Sequence, residues 1–240
     1  MSTLSQIIQR GFRESQILDI DRAPSAAQEA EALVILNGII KRHTRPSTVT
    51  VWLGDTKNIH PQRGTILKDF TPLVDNRAIP QDTFVNLLLD QSYSVMLPPE
   101  PGDGAKLSFI DVAGTLASFP LTLLGNGNLV AGNTSATLSD NNSTTTYLYR
   151  RDLANWQLVS TLLTTSSMPF PEEFDDMFVI ELAIRLNPRY GKEISGVTAE
   201  MYQQIRSRFI GRYTSENSSA APDNIWEAAF NTNGDIGRGY

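Results

Sequence analysis

The sequence predicts an α+β protein: a discontinuous helical bundle with an inserted antiparallel β-sandwich or barrel domain and an extended C-terminal tail. Apolar residues recur with a period of about 3.6 over residues 1–45, about two over 46–166, and about 3.6 again over 167–213. Only 19% of the 240 residues are charged, which favours β-rich structure with uncharged polar loops. We therefore expect a helical domain (1–45 plus 167–213), a β domain (46–166) and a tail (214–240).

The first 45 residues carry the signals of two helices. Apolar residues follow three- and four-residue steps in the first: Leu4, Ile7, Ile8 and Phe12. Ser25 followed by Gln28 has the spacing of a capping box, so a second helix should begin there. It should end in the basic turn 41–43, ahead of Pro46. Two helices joined by a short link predict an αα-hairpin.

The middle of the chain consists of short segments of alternating hydrophobicity, separated by Gly, Asn and Pro. The predicted strands are 49–53, 84–89, 93–97, 106–112, 121–124, 129–131, 136–138, 145–150 and 156–160. A turn at Asp90 and Gln91 should join the second strand to the third. Short strands at this spacing predict an antiparallel sandwich or a small barrel.

Helical spacing returns after Pro169, in a third helix whose apolar residues surround most of its axis. Such a helix lies at the centre of a helical layer or at a subunit contact. The residues predicted for a subunit interface are Phe174, Phe178 and Leu182. Asn187 and Pro188 should end this helix. A last helix is predicted from about Val197 to Tyr213, with arginines near its carboxyl end.

Charge and residue inventory exclude several classes of function. The net charge of −6 argues against a protein that binds nucleic acid by neutralising phosphates. The absence of cysteine excludes thiolate metal sites and cysteine nucleophiles. The two histidines, His43 and His60, have no partner at metal-ligand spacing. No catalytic, cofactor-binding or metal-ligating residue is therefore predicted, and we do not expect an enzyme.

The start of the chain lacks the basic segment and apolar run of a signal peptide. No later stretch has the length of a membrane span. We therefore expect synthesis in the cytoplasm and no membrane partner.

The C-terminal tail combines a polar linker, Ser215–Pro222, with large aromatic side chains that are costly to leave in water. Ile225, Trp226 and Phe230 have the spacing of one face of a short helix, and Arg238 and the carboxylate of Tyr240 can add polar contacts. The tail should therefore either fold back on its own domain or bind another chain. These five residues are the predicted partner-binding residues.

Two helical stretches and the β region resemble parts of bacteriophage proteins. The helical stretches are Ile7-Ile8-Gln-Arg-Gly-Phe12 with residues 23–37, and residues 171–191 with Ile180-Glu-Leu-Ala-Ile-Arg-Leu186. Both look like the ring-building helices of the head-to-tail adaptor, or head-completion, proteins of short-tailed phages. The region from Pro101-Gly102-Asp103, leading into Leu107-Ser-Phe109-Ile-Asp111, to Trp156-Gln-Leu-Val159 is similar to a β module of phage tail and adaptor proteins.

The resemblance implies a structural virion protein at the head–tail junction. It implies a ring of identical subunits, a dodecamer, that binds below the portal protein and extends the DNA channel. The ring would receive the next tail component, a tail tube or nozzle protein, and packaged DNA would pass through the lumen without specific binding. It also implies that the C-terminal extension reaches grooves between portal subunits.

Other functions remain open at this point. Compact adaptors are almost wholly helical, so the large β domain also fits a tail-tube or nozzle protein. A carbohydrate-binding, receptor-recognition appendage would present Trp52, Tyr93 or Trp156 to its ligand. A tail glycosidase would require two carboxylates held a fixed distance apart. The candidates are Asp21, Asp55, Asp111 and the acidic pairs at 172–173 and 175–176, but adjacent acids at a helix start are better explained by the helix dipole.

Overall fold

The computed structural model describes residues 2–19, 21–46, 49–54, 78–160, 162–192 and 195–218. In this part the chain contains both helices and strands, which confirms the α+β class. The α-helices are α1 (Leu4–Glu14), α2 (Ala26–His43), α3 (Asp175–Tyr190) and α4 (Gly196–Ser218). Short 3-10 turns cover Arg151–Leu153 and Glu172–Phe174. None of the described helices is long and apolar enough to span a membrane.

α1 and α2 begin at reciprocal capping boxes. The hydroxyl of Ser25 accepts a hydrogen bond from the backbone N–H of Gln28, whose side chain accepts one from the backbone N–H of Ser25. Thr3 and Gln6 form the same arrangement at α1. These bonds satisfy backbone donors that a helix start leaves without partners, and so they fix the first residue of each helix. The predicted start of α2 is confirmed.

α3 and α4 extend beyond their predicted ends. α3 continues through Pro188 to Tyr190 and stops at Gly191, which is left-handed with a φ of 63°. Pro188 lies in the last turn, so the glycine sets the end of the helix. α4 continues past Tyr213 into the segment predicted as a linker, because neither glycine nor proline interrupts it before Pro222.

Nine strands in the described residues form two sheets. The strands are β1 (Val49–Gly54), β2 (Thr83–Leu88), β3 (Tyr93–Met96), β4 (Lys106–Asp111), β5 (Leu121–Leu124), β6 (Leu129–Val130), β7 (Ser135–Leu138), β8 (Thr144–Arg150) and β9 (Asn155–Leu158). One sheet has the order β1-β2-β4-β8-β9-β6, and the other has the order β3-β5-β7.

The larger sheet is mixed, which corrects the prediction of antiparallel pairing. β1–β2, β2–β4 and β6–β9 are parallel pairs, as is β3–β5 in the smaller sheet. Asp90 and Gln91 do not close a hairpin, because Tyr93 of β3 lies opposite Leu121 of β5. β2 and β3 show the same alternation of buried and half-buried residues. Such alternation determines which face is buried, but not the partner strand or its direction.

Two hydrophobic clusters occupy the described part of the chain. The first joins buried side chains of all four helices with residues 162–170 and with Leu148 and Val159. The second lies among the strands and includes the fully buried Phe109 and Trp156. α3 contacts α1, α2 and α4, so it lies among the other three helices.

The three side chains predicted for a subunit interface belong to the first cluster. Phe174 is 5% exposed, and Phe178 and Leu182 are fully buried. Phe178 stacks on Phe170 with ring centroids 5.0 Å apart. A Cβ added to Gly11 of α1 would lie 2.9 Å from the Leu182 side chain, so α1 approaches α3 closely here. Other parts of the same chain thus cover Phe174, Phe178 and Leu182, so these three side chains are not exposed to a neighbouring subunit.

Candidate functional site

The C-terminal tail follows α4, so the contacts of the last part of this helix hold the region from which the tail extends. The predicted partner-binding residues Ile225, Trp226, Phe230, Arg238 and Tyr240 lie outside the described residues. The last described residue is Ser218, at the end of α4. We call Asp103, Gly104, Arg212 and Tyr213 the α4 anchor, because they join this part of α4 to the loop before β4.

The charged half of the α4 anchor is a two-pronged contact between Arg212 and Asp103. Nη2 and Nε of Arg212 donate hydrogen bonds of 2.8 and 3.2 Å to Oδ2 of Asp103. Oδ1 of Asp103 accepts a third from the backbone N–H of Arg151, at 3.0 Å. Asp103 is buried, whereas Arg212 is partly exposed and also contacts Glu173. A buried carboxylate with three charge-assisted donors holds its partners in a defined geometry.

The apolar half of the α4 anchor is the contact of Gly104 with Tyr213. Gly104 has a φ of +80°, and a Cβ on it would lie 2.0 Å from Cδ1 of the Tyr213 ring. The ring is 5% exposed and packs against Phe170 and Phe209. Burial raises the pKa of Tyr213 above its ordinary value. Glycine is therefore required here both for its backbone conformation and for the space it leaves.

A second polar cluster joins α2, α3 and α4 around Glu181. Oε2 of this buried carboxylate accepts a hydrogen bond from the Tyr202 hydroxyl at 3.2 Å and lies 3.3 Å from Nε2 of His43. Its other oxygen contacts Arg42 and lies 3.7 Å from Nε of Arg185. Burial, followed by nearby cations of which Arg42 is the strongest, lowers the pKa of His43 to about 4. His43 is thus neutral at pH 7 and has a structural position.

Two arginines of the basic segments at 150–151 and 206–212, Arg150 and Arg212, are paired with carboxylates of the same chain. Arg150 is 4% exposed and binds the carboxylate of Asp152. Arg212 binds Asp103 in the α4 anchor. These contacts hold the strands and the end of α4 in place, so Arg150 and Arg212 have structural positions.

Three candidate residues of the other functions, Asp111, Tyr93 and Trp156, also have structural roles. The carboxylate of Asp111 accepts hydrogen bonds from the backbone N–H groups of residues 114, 115, 116 and 142. Trp156 is fully buried, and Tyr93 is 8% exposed with its hydroxyl donating to Asp90. Trp52 is half-buried. Within the described residues, no group of acidic or histidine side chains could hold a metal ion.

A groove lies between α1, α3 and α4. Its volume is about 430 Å³, within the range of binding pockets. Three apolar side chains, Val179, Ile180 and Met201, and four charged ones line it: Arg10, Arg13, Glu14 and Asp176. A second depression of about 340 Å³ continues from Arg10 and Arg13 along α1. We call these two depressions the α1/α4 groove.

The α1 side of the α1/α4 groove carries two arginines, whereas the α4 side exposes apolar side chains. Arg10 pairs with Asp176 across it. Arg13 is exposed and has no ion-pair partner among the described residues. On the α4 side, Val197 and Met201 lie one turn apart and are 78% and 44% exposed. An exposed apolar strip beside an unpaired arginine is typical of a surface that binds another segment of protein.

Sequence reasoning missed the α4 anchor and the groove. Asp103 and Arg212 are 109 positions apart, so no local pattern connects them. The one available signal was Gly102-Asp103-Gly104, which resembles an ordinary turn. In comparisons with known proteins, no family model and no curated protein matches the chain. A functional proposal therefore rests on the resemblance of its helices and on the contacts described above.

Proposed function

We propose that this chain is a structural virion protein that forms a ring between the portal and the tail of a short-tailed phage. The ring extends the DNA channel and attaches tail components. The observation that supports this function is the packing of α1 and α2 against α3, because these helices contain the two stretches that resemble adaptor helices. In this proposal residues 1–45 and 167–213 form the ring-forming domain, a discontinuous helical bundle, and 46–166 form an inserted β-sandwich or barrel.

The electrostatics support a passive channel wall. The chain has 26 acidic and 20 basic residues, and several of the arginines are paired within the chain. An acidic lumen repels the phosphate backbone and lets DNA slide without specific binding. As the resemblance implies, the proposed partners are further copies of this chain in a dodecamer, the portal above, and a tail tube or nozzle protein below. The chain would be made in the host cytoplasm and would have no catalytic activity.

The C-terminal tail is the proposed attachment device. The α4 anchor holds the root of the tail against the loop before β4, while the tail itself carries Ile225, Trp226 and Phe230. A segment that starts from a fixed point and carries apolar residues can bind a groove on a neighbouring chain. Burial of each aromatic side chain would contribute about 2–3 kcal/mol before the ordering cost is subtracted.

The mass of the full chain, alone and with purified portal rings, tests this function. We expect a discrete ring, or a monomer that assembles into one on the portal, and a stable complex of both rings. Light scattering gives the mass, and electron microscopy gives the symmetry. Open tubes that grow without a portal would instead support the tail-tube alternative. A chain that stays monomeric and does not bind the portal would contradict the adaptor proposal.

A further inference from the structure

The α1/α4 groove offers the apolar and cationic groups that complement the C-terminal segment. The groove has an apolar floor, and Arg13 at its rim has no ion-pair partner within the described part of the chain. The segment Asp223-Asn-Ile-Trp-Glu-Ala-Ala-Phe230 combines three large apolar residues with two carboxylates four positions apart. The apolar side chains of this segment would pack on the floor of the groove, and one of its carboxylates would pair with Arg13.

The short linker between Ser218 and Trp226 argues against binding of the C-terminal segment to the groove of its own subunit. Met201, at the groove, and Ser218, at the end of α4, are 17 residues apart on one helix, or about 25 Å at 1.5 Å per residue. The eight residues from Ser218 to Trp226 span at most about 27 Å when fully extended. To reach its own groove the tail would have to run back, fully stretched, along α4. Such a linker loses nearly all of its conformational freedom.

We propose that the α1/α4 groove binds the C-terminal segment of the neighbouring copy of this chain in the ring. This inference rests on the ring of the proposed function, but it assigns the tail to the next subunit instead of to the portal. The start of the tail, after Ser218, and the groove, near Met201, lie at opposite ends of α4. A contact between two different surfaces is heterologous, and repeated heterologous contacts close into a ring when the rotation permits.

Disulfide cross-linking tests the inference cleanly, because the natural sequence contains no cysteine. The full-length double variant Met201→Cys/Ala229→Cys places one thiol at the groove and one between Trp226 and Phe230. Under mild oxidation we expect a ladder of covalent oligomers that ends at the ring. The matched control, Leu163→Cys/Ala229→Cys, moves the first thiol to a residue that is 60% exposed outside the groove. It should give at least tenfold less cross-linked product.

A separate variant tests the pairing of Arg13 with the carboxylates of the tail. Arg13→Glu in the double-cysteine chain should slow cross-linking about five- to tenfold, because it repels the tail carboxylates. Arg22→Glu makes the same charge change at an exposed residue outside the groove and should leave the rate unchanged. Equal rates for the two charge variants would overturn the proposed pairing.

The remaining outcomes separate this inference from the proposed function. A covalent loop within the monomer, or intact rings without cross-links, would overturn binding between subunits and leave the ring proposal standing. A ladder that disappears on addition of the portal, with the tail then cross-linked to the portal, would make the portal the occupant and overturn the inference. A mass that shows no ring either alone or with portal rings, and no binding to the portal, would overturn the proposed function itself.

Discussion

Gly104→Ala tests whether the end of α4 is held as the structure indicates. The substitution adds one methyl group at a φ of +80°, and this methyl would lie 2.0 Å from the ring of Tyr213. Two penalties arise, a backbone cost for the left-handed conformation and the cost of displacing the ring. Gly127→Ala provides a matched control, because Gly127 has a φ of +94° with nothing within 4 Å of the added Cβ.

The two penalties can be estimated separately. The left-handed conformation costs a non-glycine residue about 1–2 kcal/mol. Tyr213 is 5% exposed, so moving its ring out of the cluster loses about 2–3 kcal/mol of apolar burial. We therefore expect Gly104→Ala to lower the free energy of unfolding by about 3–5 kcal/mol and Gly127→Ala by about 1–2 kcal/mol.

Urea unfolding followed by circular dichroism gives these free energies for full-length chains. Tyr213→Ala provides the decisive background, because it removes the ring that the new methyl group meets. In that background the cost of Gly104→Ala should fall to about 1–2 kcal/mol, the backbone cost alone. An equal cost of Gly104→Ala in both backgrounds, or costs of Gly104→Ala and Gly127→Ala that do not differ, would refute the assigned contact.

Three further predictions concern the pH dependence, a helix cap and a loop. Because the pKa of His43 is about 4 in the folded chain and about 6.5 when unfolded, the unfolded state takes up the proton first. Stability should therefore fall by about 3 kcal/mol as the pH drops from 6.5 to 4. His43→Gln should flatten that part of the curve, and an NMR titration of the imidazole should give the low pKa directly. Ser25→Ala should cost about 1 kcal/mol in urea unfolding, because α2 loses its cap. Asp111→Ala leaves four backbone donors without their acceptor and should cost about 3 kcal/mol, whereas Asp140→Ala at an exposed residue should be nearly neutral.

Local signals in the sequence located most helices and strands. The capping box at Ser25 predicted the first residue of α2, because both partners lie within one helical turn. Strand positions were within a residue or two of the observed ones, because alternation of apolar residues is also a local pattern. The end of α3 was misplaced at Pro188, because the proline was a stronger local signal than the glycine three residues later.

Contacts between distant parts of the chain had no such signal. The parallel pairing of β1, β2 and β4 depends on how the chain crosses between strands, which hydrophobic alternation does not encode. The apolar surface of α3 correctly indicated burial, but the sequence did not show that α1, α2 and α4 supply the cover. The bond of Asp103 to Arg212 joins residues 109 positions apart, and only the folded chain brings them together.

α4 connects the two surfaces of the proposed contact between subunits, the α1/α4 groove and the start of the C-terminal tail. Its first half contributes Met201 to the groove and Tyr202 to the contact with Glu181. Phe209 and Arg212, further along, contact His43 and Asp103. A helix held at three places along its length behaves as a rigid spacer of about 25 Å between groove and tail root. If the tail of each subunit binds the groove of the next, this spacer and the short linker limit the separation of successive subunits. Loosening the α4 anchor should therefore broaden the distribution of ring sizes even where the fold survives. The ring sizes formed by the Gly104→Ala chain would test this expectation.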